Sequence, residues 1–427
     1  MTILNSLDNS NMAIRDGVDF FYFGNGCIAD YYGNTIAYLN EIDIKIIKLC
    51  LEDYSKADII QQVSKENNEN EIKQRINNLY KKGIIIYSNT MPKRKTCFFG
   101  KKGLYFPKEI AIELTNTCNY ACPFCYKNAK VKGEFITEDN ILKVDRLIRN
   151  NVRNILLTGG EPTIHPKYLN YIELFSQYAK VHMISNGSLL FEHNPSTLKK
   201  LDRIQFTIYG CDNEEYKKMT GMQDGFTRLC KSVDFAKKNE INISAGITLC
   251  DETIDHMEKF VQIAIALEFK DLRIGVADVF GRGKYLFGED SNYEEQRHKA
   301  YDMLLELKRK YRKQISFELP NINTEHVTPH DDIINNVYRC SLKCGCGSEY
   351  LVVSQSGKVR PCQMLPERWF SINSENALWE HIHGDFHIGQ LSEAIKNYYR
   401  ENNFETLNIS PCQALEYFVS SKEGNHE

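Results

Sequence analysis

The 427-residue sequence has no apolar run long enough to cross a membrane, no low-complexity tract and no repeat of fixed period. Its opening residues, MTILNSLDNS, have neither the basic nor the apolar segment of a signal peptide. The sequence also lacks an excess of either charge, since it has 53 basic and 56 acidic residues. This balance argues against a nucleic-acid or membrane partner. We therefore expect a cytoplasmic protein of about two or three domains.

Cysteine, in contrast, is plentiful. The chain has 14 cysteines, and in a reducing compartment that number indicates metal or redox chemistry rather than disulfides. Eight of them fall near two places in the sequence, namely Cys118, Cys122 and Cys125, then Cys340, Cys344, Cys346 and Cys362, followed by Cys412. The other six are predicted to be small buried hydrophobes: Cys27, Cys50, Cys97, Cys211, Cys230 and Cys250.

Residues 1–90 are predicted to form a small domain similar to a winged helix. Short strand patterns at Val18–Tyr22, Thr35–Leu39 and Ile84–Tyr87 accompany three helical patterns, one of which opens with a capping-box pair, Ser55 and Asp58. The domain has twelve acidic and nine basic side chains, a balance that argues against a phosphate-facing surface. Residues 91–108 are interpreted as a linker, because Pro92–Lys102 contains five basic residues, a proline and a glycine.

From residue 109 to about 276, strands and helices alternate, which predicts an α/β fold with a parallel sheet. Six strand–helix units fit a partial (β/α)6 TIM-like barrel over residues 109–325, although periodicity alone does not separate it from an open doubly wound sheet. Residues 326–427 are predicted to be a cysteine-rich C-terminal domain containing a hairpin and preceded by a polar helix near 292–312. The six strands are Ile110–Leu114, Asn154–Leu157, Val181–Ser185, Ile204–Ile208, Ile243–Leu249 and Asp271–Val276.

The segment Cys118-Asn-Tyr-Ala-Cys122-Pro-Phe-Cys125 directly follows the first of these strands. Three thiolates on one tight loop can hold three irons of a [4Fe–4S] cube and leave the fourth iron open. Zinc is the alternative, but a zinc site usually has a fourth Cys or His nearby. This CxxxCxxC loop resembles that of the radical S-adenosylmethionine (SAM) superfamily. The resemblance implies that the three cysteines bind the SAM-cleaving cluster and that Phe124 helps to seat adenine.

Two further turns resemble SAM-contacting turns of that superfamily. The second strand ends in Thr158-Gly159-Gly160-Glu161-Pro162, where the glycines allow close backbone approach to a ligand. The resemblance implies that this turn, Gly159 to Pro162, binds the SAM ammonium group. The third strand ends in Ser185-Asn186-Gly187, which resembles the next SAM-contacting turn. An ordinary βα turn is the alternative for each.

Two positions depart from the superfamily pattern. Tyr209 precedes Gly210 where relatives usually have Asp, and Thr220 precedes Gly221 where relatives often have Arg. Thr cannot replace a bidentate Arg clamp on the SAM carboxylate, and Lys217 or Lys218 are weak substitutes. The residues alone do not rank the possible general bases, which are Asp278, Arg282, Tyr209 and Glu161.

The second group of cysteines resembles the SPASM/twitch extension of peptide-modifying radical SAM enzymes. That resemblance implies one auxiliary [4Fe–4S] cluster bound by Cys340, Cys346, Cys362 and Cys412, with Cys344 as an alternative ligand. The same thiolates could instead hold a structural zinc ion. A closed cluster would either accept an electron from the substrate or bind the substrate by ligand exchange.

Ahead of such a barrel, the N-terminal domain resembles a recognition element for ribosomally synthesised and modified peptides. The resemblance implies that a precursor's leader adds as a strand to Thr35–Leu39, facing a helix at Glu71–Lys82. A structural cap on the barrel is the alternative. We therefore expect a radical SAM peptide maturase that forms a 5′-deoxyadenosyl radical and installs a Cys thioether crosslink of the sactipeptide kind. Its electron donor is expected to be of the flavodoxin or ferredoxin type.

Three other functions remain open at this stage. The first is another radical modification of a peptide, such as carbon–carbon crosslinking or epimerisation. The second is maturation of a folded protein such as a sulfatase. The third, an iron–sulfur regulator that binds DNA, is disfavoured by the Gly-Gly-Glu-Pro turn and by the acidic N-terminal domain.

Overall fold

The computed structural model describes residues 12–24, 26–32, 34–52, 54–87, 98–277, 281–283, 293–319, 350–360 and 363. The chain divides into two compact units, Met1–Phe106 and Pro107–Glu427. No helix within the described ranges is both long and apolar enough to cross a bilayer. The predicted auxiliary ligands Cys340, Cys344, Cys346, Cys362 and Cys412 lie outside the described residues, as do Asp278 and Cys97.

The first unit contains a two-stranded sheet and a larger sheet. β1 pairs with β5, and the larger sheet has the order β4-β3-β2-β6, with β7 also paired to β2. The predicted strand patterns are confirmed, but β3 is an additional strand that forms an antiparallel meander with β2 and β4. The strands are β1 (Met12–Ile14), β2 (Val18–Gly24), β3 (Gly26–Tyr31), β4 (Asn34–Leu39), β5 (Ile85–Tyr87), β6 (Phe98–Phe99) and β7 (Leu104–Tyr105).

Three helices lie between β4 and β5 in the sequence: α1 (Glu41–Leu51), α2 (Lys56–Val63) and α3 (Glu69–Lys81). Ser55 caps α2, because its hydroxyl accepts a hydrogen bond from the Asp58 amide at 3.2 Å. A reciprocal capping box that the pattern did not reveal starts α1, where Asn40 and Asp43 each accept a hydrogen bond from the other's backbone amide. Apolar residues of the strands and all three helices form one core.

The second half of the segment interpreted as a linker takes part in this sheet. β6 runs parallel to β2, and Phe98 stacks on Phe20 with ring centroids 4.7 Å apart. β7 then pairs antiparallel with the end of β2, at Phe23 and Gly24. Residues 98–105 therefore cover the β2 edge of the sheet.

The second unit contains a sheet of nine described strands in the order β14-β13-β12-β11-β10-β9-β8-β15-β16. All neighbouring pairs from β14 to β15 are parallel, and β16 is antiparallel to β15. The six predicted strands are confirmed, with β14 as a further parallel strand. The strands are β8 (Glu109–Glu113), β9 (Asn154–Thr158), β10 (Lys180–Ser185), β11 (Arg203–Ile208), β12 (Ile243–Leu249), β13 (Asp271–Val276), β14 (Ser316–Glu318), β15 (Tyr350–Val353) and β16 (Val359–Arg360).

Helices alternate with these strands, as a βα fold requires. Polar caps begin several of them; Thr137, for example, accepts a hydrogen bond from the Asn140 amide at the start of α4. The helices are α4 (Glu138–Ile148), α5 (Tyr168–Phe175), α6 (Pro195–Leu198), α7 (Asn213–Thr220), α8 (Gly225–Lys238), α9 (Asp251–Ile254), α10 (Met257–Ala266) and α11 (Tyr293–Tyr311).

The predicted C-terminal hairpin is confirmed, and it belongs to the same sheet as the barrel strands. β15 pairs in parallel with β8, from Tyr350 beside Glu109 to Val353 beside Ile112. The apolar residues of β15 are buried, as expected for a strand covered on both faces. Because β8 to β13 are parallel, the loops that follow them meet at one edge, where α/β enzymes place their chemistry.

Candidate active site

The loop after β8 carries Cys118, Cys122 and Cys125 and is closed by backbone hydrogen bonds. The Cys118 amide donates to the carbonyl of Lys130 at 2.8 Å, and the Lys130 amide donates to that of Asn116 at 3.0 Å. Within the loop, the Cys125 amide donates to the Cys122 carbonyl at 3.2 Å. The three thiols are thereby held on one closed loop at the carboxyl end of β8.

The surroundings of these thiols suit thiolate ligands. Cys118 and Cys122 are buried and Cys125 is half-buried. The Tyr120 amide donates to Cys118 Sγ at 3.4 Å and the Ala129 amide to Cys125 Sγ at 3.5 Å, the kind of bond that stabilises a bound thiolate. Burial, followed by the nearby Glu161 carboxylate, raises the pKa of Cys118 to about 12, and burial also raises the pKa of Cys122.

Thiols with raised pKa values hold their protons until a cation displaces them, because only the thiolate binds metal. Within the described ranges, no three His, Cys, Asp or Glu side chains converge on a position for a single metal ion. A [4Fe–4S] cube instead takes each thiolate on a different iron. Three separate thiols on a loop with amide donors fit that group.

The glycine turn after β9 packs directly on the cysteine loop. A Cβ atom on Gly159 would lie 2.4 Å from the Thr115 carbonyl oxygen, and one on Gly160 would lie 2.2 Å from that of Thr117. The Gly160 amide donates to the Thr115 carbonyl at 2.7 Å, and the Glu161 amide to that of Thr117 at 2.9 Å. The two glycines thus permit close approach between two loops of the protein, and their contact with SAM stays a prediction.

Glu161 links this turn to the one after β10. Its buried carboxylate accepts hydrogen bonds from the Thr163 amide at 3.1 Å, the Thr163 hydroxyl at 2.6 Å, the Ser185 hydroxyl at 2.9 Å and the Asn186 amide at 2.7 Å. Burial raises the pKa of Glu161, and these hydrogen bonds oppose that effect. A carboxylate with four internal donors braces the two turns. Because its oxygens already accept these four hydrogen bonds, Glu161 is a poor candidate for the general base. The next residue, Pro162, begins a short 3-10 turn.

The turn at Ser185 and Asn186 lies beside the cysteine loop, and its contact with SAM stays a prediction. The Asn186 amide nitrogen Nδ2 donates to Asn119 Oδ1 at 2.9 Å and lies 3.9 Å from Cys118 Sγ. Asn119 in turn donates to the Ser188 hydroxyl at 2.8 Å. The cysteine loop, the glycine turn and this third turn therefore form one hydrogen-bonded group.

Aromatic rings line the other side of the cysteine loop. Phe124 and Tyr209 are nearly parallel, at 13°, with ring centroids 6.1 Å apart, and Tyr120 meets Tyr209 edge-on at 5.5 Å. The Tyr209 hydroxyl also opposes the rise in the pKa of the Cys122 thiol. The tyrosine that replaces the expected aspartate thus belongs to an aromatic wall beside the thiols, together with the predicted adenine-seating ring of Phe124.

Thr220, at the position of the expected arginine, has a structural role. It is buried, its hydroxyl donates to the Tyr216 carbonyl at 2.6 Å, and its own carbonyl accepts from the Ala121 amide at 2.9 Å. Lys217 and Lys218 are exposed on α7. Thr220 therefore anchors the cysteine loop, and that neither lysine replaces the missing clamp stays a prediction.

A buried charge cluster that the sequence analysis missed lies behind the loop. Glu113, at the end of β8, contacts both the Lys127 ammonium and the Arg360 guanidinium, and their side chains are 0%, 6% and 7% exposed. Lys127 also donates to Gln355 Oε1 at 3.0 Å. Glu113 within the otherwise apolar run Ile110–Leu114 was the available signal, because a charged residue needs partners when buried.

A further contact joins the cysteine loop to the region after β16. The Tyr126 hydroxyl, next to Cys125 in the sequence, donates to Gln363 Oε1 at 2.6 Å. Gln363 directly follows Cys362, whose role as an auxiliary ligand stays a prediction.

Of the cysteines predicted to be structural, Cys230 is half-buried and the other described ones are buried, namely Cys27, Cys50, Cys211 and Cys250.

Residues 112–264, which carry the cysteine loop and the two turns, match the model of the radical SAM superfamily. This part of the chain is a radical SAM domain. Enzymes of this superfamily use a [4Fe–4S] cluster and SAM, and Cys118, Cys122 and Cys125 have the expected spacing and setting for the cluster.

Comparison with individual proteins gives both sequence and structural relatives. The chain is 23% identical over 328 residues to the antilisterial bacteriocin subtilosin biosynthesis protein AlbA of Bacillus subtilis, covering 75% of this chain and 69% of that protein. It is 25% identical over 263 residues to a probable GTP 3′,8-cyclase of Saccharolobus islandicus, covering 60% of this chain and 82% of the cyclase. The structure of Streptococcus suis SuiB bound to precursor peptide SuiA matches with a TM-score of 0.58 at 14% identity, covering 83% of each chain.

Proposed function

We propose that this enzyme matures a ribosomally made precursor peptide by installing a Cys thioether crosslink. The likeness to a bacteriocin biosynthesis protein and to a SuiB structure that holds a precursor peptide supports this proposal. When bound, the cluster supplies the electron that cleaves SAM to the 5′-deoxyadenosyl radical, which removes a hydrogen atom from the peptide. The aromatic wall of Phe124 and Tyr209 would shield that chemistry from water.

Forming a thioether crosslink requires an electron acceptor as well as an electron donor. After a carbon loses a hydrogen atom, joining it to a Cys sulfur releases the thiol proton and one electron, so the peptide loses two hydrogens per bond. An auxiliary cluster on Cys340, Cys346, Cys362 and Cys412, with Cys344 as the alternative ligand, would accept that electron. A flavodoxin or ferredoxin would reduce the SAM-cleaving cluster. Free thiols suit a reducing compartment, and we place the enzyme in the cytoplasm.

The proposal that the enzyme recognises a peptide rests on the β4 edge of the first unit's sheet. Among the described strands, β4 has a neighbour on one side only, whereas residues 98–105 of the same chain cover the opposite edge. Tyr38 on β4 is 59% exposed. An extended leader peptide can pair with such an edge through main-chain hydrogen bonds and gain specificity from alternate side chains. Asn34–Leu39 is the proposed docking strand, and α3 the proposed facing helix.

A proline substitution tests this edge. Ile36 lies at an irregularity in β4, where Thr35 pairs with Asp30 and Ala37 with Ala29 and no partner is assigned to Ile36. Ile36→Pro removes one backbone donor with the least damage to pairing with β3, while Ile36→Ala keeps the donor and loses the same packing. In fluorescence anisotropy with a labelled candidate precursor encoded beside the gene, Ile36→Pro should weaken binding at least tenfold relative to Ile36→Ala. Equal affinities would overturn the edge proposal.

Co-expression with that precursor tests the chemistry. Mass spectrometry should show a loss of two hydrogens per crosslink, and alkylation should show the loss of one free Cys thiol per bond. Modification without thiol loss would point instead to a carbon–carbon crosslink, and a mass unchanged with a new D-residue to epimerisation. The same protein incubated with GTP should release no more 5′-deoxyadenosine than without it, whereas stimulation by GTP would favour a nucleotide substrate.

A further inference from the structure

A short segment after β13 lies directly on the cysteine loop. Gly281 adopts a φ of +58°, and a Cβ atom there would lie 2.2 Å from the Tyr126 carbonyl oxygen and 2.4 Å from that of Cys125. No side chain fits between these two backbones. Gly281 therefore brings the next residue, Arg282, against the loop that carries the three thiols.

Arg282 binds this loop at several points. Its amide donates to the Cys125 carbonyl at 2.9 Å. Its guanidinium donates from Nε to the Cys122 carbonyl at 2.8 Å, and from Nη1 to the Ala129 carbonyl at 2.6 Å and to Asn128 Oδ1 at 3.4 Å. The rigid fork of an arginine can hold such separate acceptors at once, and a lysine ammonium cannot reproduce that geometry.

These bonds reach the backbone of two of the three cysteines from a residue more than 150 positions away in sequence. They hold the loop between Cys122 and Ala129 in one conformation, independently of the hydrogen bonds that close its base. They also place a positive charge next to Cys122, and this charge opposes the rise in the pKa of that thiol. Arg282 was one of several possible bases, but its guanidinium is committed as a donor.

We propose that Gly281 and Arg282 form a clasp that preorganises the cysteine loop, and that the Arg282 charge raises the reduction potential of the cluster bound there. Net charge and hydrogen bonding around the sulfur ligands are two of the factors that set such potentials. Reduction adds a negative charge, so an adjacent cation favours the reduced form. Arg282 is thus a positioning residue for electron uptake, whatever substrate the enzyme modifies.

Two substitutions separate geometry from charge. Arg282→Lys keeps the charge and loses the fork, whereas Arg282→Gln loses both the charge and most of the donors. Arg149→Gln is the matched control, since Arg149 also makes a forked contact, with Asp145 on α4, and is not part of the cysteine loop. Each full-length protein would be reconstituted anaerobically. Iron release to a chelator would be timed, and the SAM-sensitive EPR signal of the reduced cluster would be followed against potential.

Both Arg282 variants should release iron several-fold faster than the wild-type protein. At the wild-type midpoint potential, the cluster of Arg282→Gln should be about ten times more oxidised than reduced. This ratio corresponds to a midpoint potential lower by about 59 mV for a one-electron couple. Arg282→Lys should stay within about twofold, and Arg149→Gln should match the wild type in both measurements. If Arg282→Gln retains no iron while Arg282→Lys does, the effect of the Arg282 charge on the bound cluster is supported, because both variants lose the fork and only Arg282→Gln loses the charge.

Other outcomes overturn the proposal. Wild-type iron release in both variants would exclude the clasp, and equal potentials in the wild type and Arg282→Gln would exclude the effect of charge. Gly281→Ala gives an independent check without any change in charge. The added Cβ should displace the segment from the loop and speed iron release, and an unchanged rate would show that the close approach at Gly281 does not matter for holding the cluster.

Discussion

In the parallel sheet of the second unit, β8 comes first in sequence, yet it is an interior strand because β15 pairs along it. In the antiparallel sheet of the first unit, residues 98–105 cover β2 in a similar way, while β4 has one neighbour among the described strands. Both sheets thus use a later part of the chain to cover an edge. Both sheets also end in strands with one neighbour among the described strands, but β14 and β16 have only three and two residues, whereas β4 has six, and β4 is the edge at which we propose that a leader peptide pairs.

The covered edge in the second unit is held by more than strand pairing. Glu113 on β8 contacts Lys127 of the cysteine loop and Arg360 of β16, so a single carboxylate connects the added hairpin with the loop of the reaction site. At the other sheet, β4 has one neighbour among the described strands, and its Tyr38 side chain is exposed. Fixed geometry suits radical chemistry, whereas an open edge suits a ligand that supplies its own strand.

The largest effect should come from a substitution that removes the cluster from the second unit and leaves peptide binding by the first unit intact. Cys122→Ala removes one of the three proposed cluster ligands, and we expect 5′-deoxyadenosine formation under dithionite to fall by more than about a thousandfold, with about four irons lost per chain. Binding of the labelled precursor should stay within about twofold of the wild type, because the β4 edge belongs to the other unit. Iron analysis, product chromatography and anisotropy measure the three quantities.

Cys230→Ala is the control for this variant, since Cys230 is a half-buried thiol of α8 outside the cysteine loop. It should retain its iron and its SAM cleavage. A Cys122→Ala protein that still cleaves SAM would contradict the assignment of the cluster, and one that loses peptide affinity would show that the two units do not act separately.

A smaller effect should follow from releasing the covered edge. Glu113→Ala leaves Lys127 and Arg360 buried without their carboxylate, and breaking a buried ion pair on one side costs about 3–5 kcal/mol. We expect a loss of that size in the free energy of unfolding of the second unit, measured by urea denaturation. Glu173→Gln, which breaks an exposed ion pair with Lys200, should change the stability little. Equal midpoints for the two variants would contradict a structural role for Glu113.

Much of this fold follows from patterns of the sequence. The strands β8 to β13 are short apolar runs between amphipathic helices, and their parallel order follows from that alternation. β3 was missed because it begins at Gly26, immediately after the segment that the pattern assigned to a turn between strands. The pairing of β15 with β8 was also missed, because local patterning shows that a strand exists but not which distant strand it joins.

Some features of the candidate active site also follow from the sequence, and others do not. Spacing alone located Cys118, Cys122 and Cys125, because three thiolates on one loop have few other uses. The internal role of Glu161 and the loop contacts of Arg282 did not follow from sequence. Both depend on residues from separate loops that come together only when the strands pair. Gly160 shows an intermediate case, where the need for glycine was evident but the group that approaches it is the Thr117 backbone.

The smallest expected effect concerns pH and would show how firmly the second unit is packed. His165 is buried, its Nδ1 accepts from the Lys167 amide at 3.1 Å, and its Nε2 lies 3.2 Å from the Ile136 carbonyl oxygen. Burial lowers the pKa of His165 below its usual value of 6.5. The folded state therefore binds fewer protons than the unfolded state, so stability is full above that value and falls as the pH drops through it.

We expect the melting temperature of the second unit to fall between about pH 7.5 and pH 5, and His165→Gln should reduce that slope. Burial lowers the pKa of His182 and His193 in the same direction, so part of the slope should persist in the variant. His256→Gln, at an exposed position, should leave the slope unchanged. If His165→Gln and the wild type share one slope, the protons are taken up elsewhere. The site would then tolerate a charged His165, and its packing beside the glycine turn would be looser than these contacts indicate.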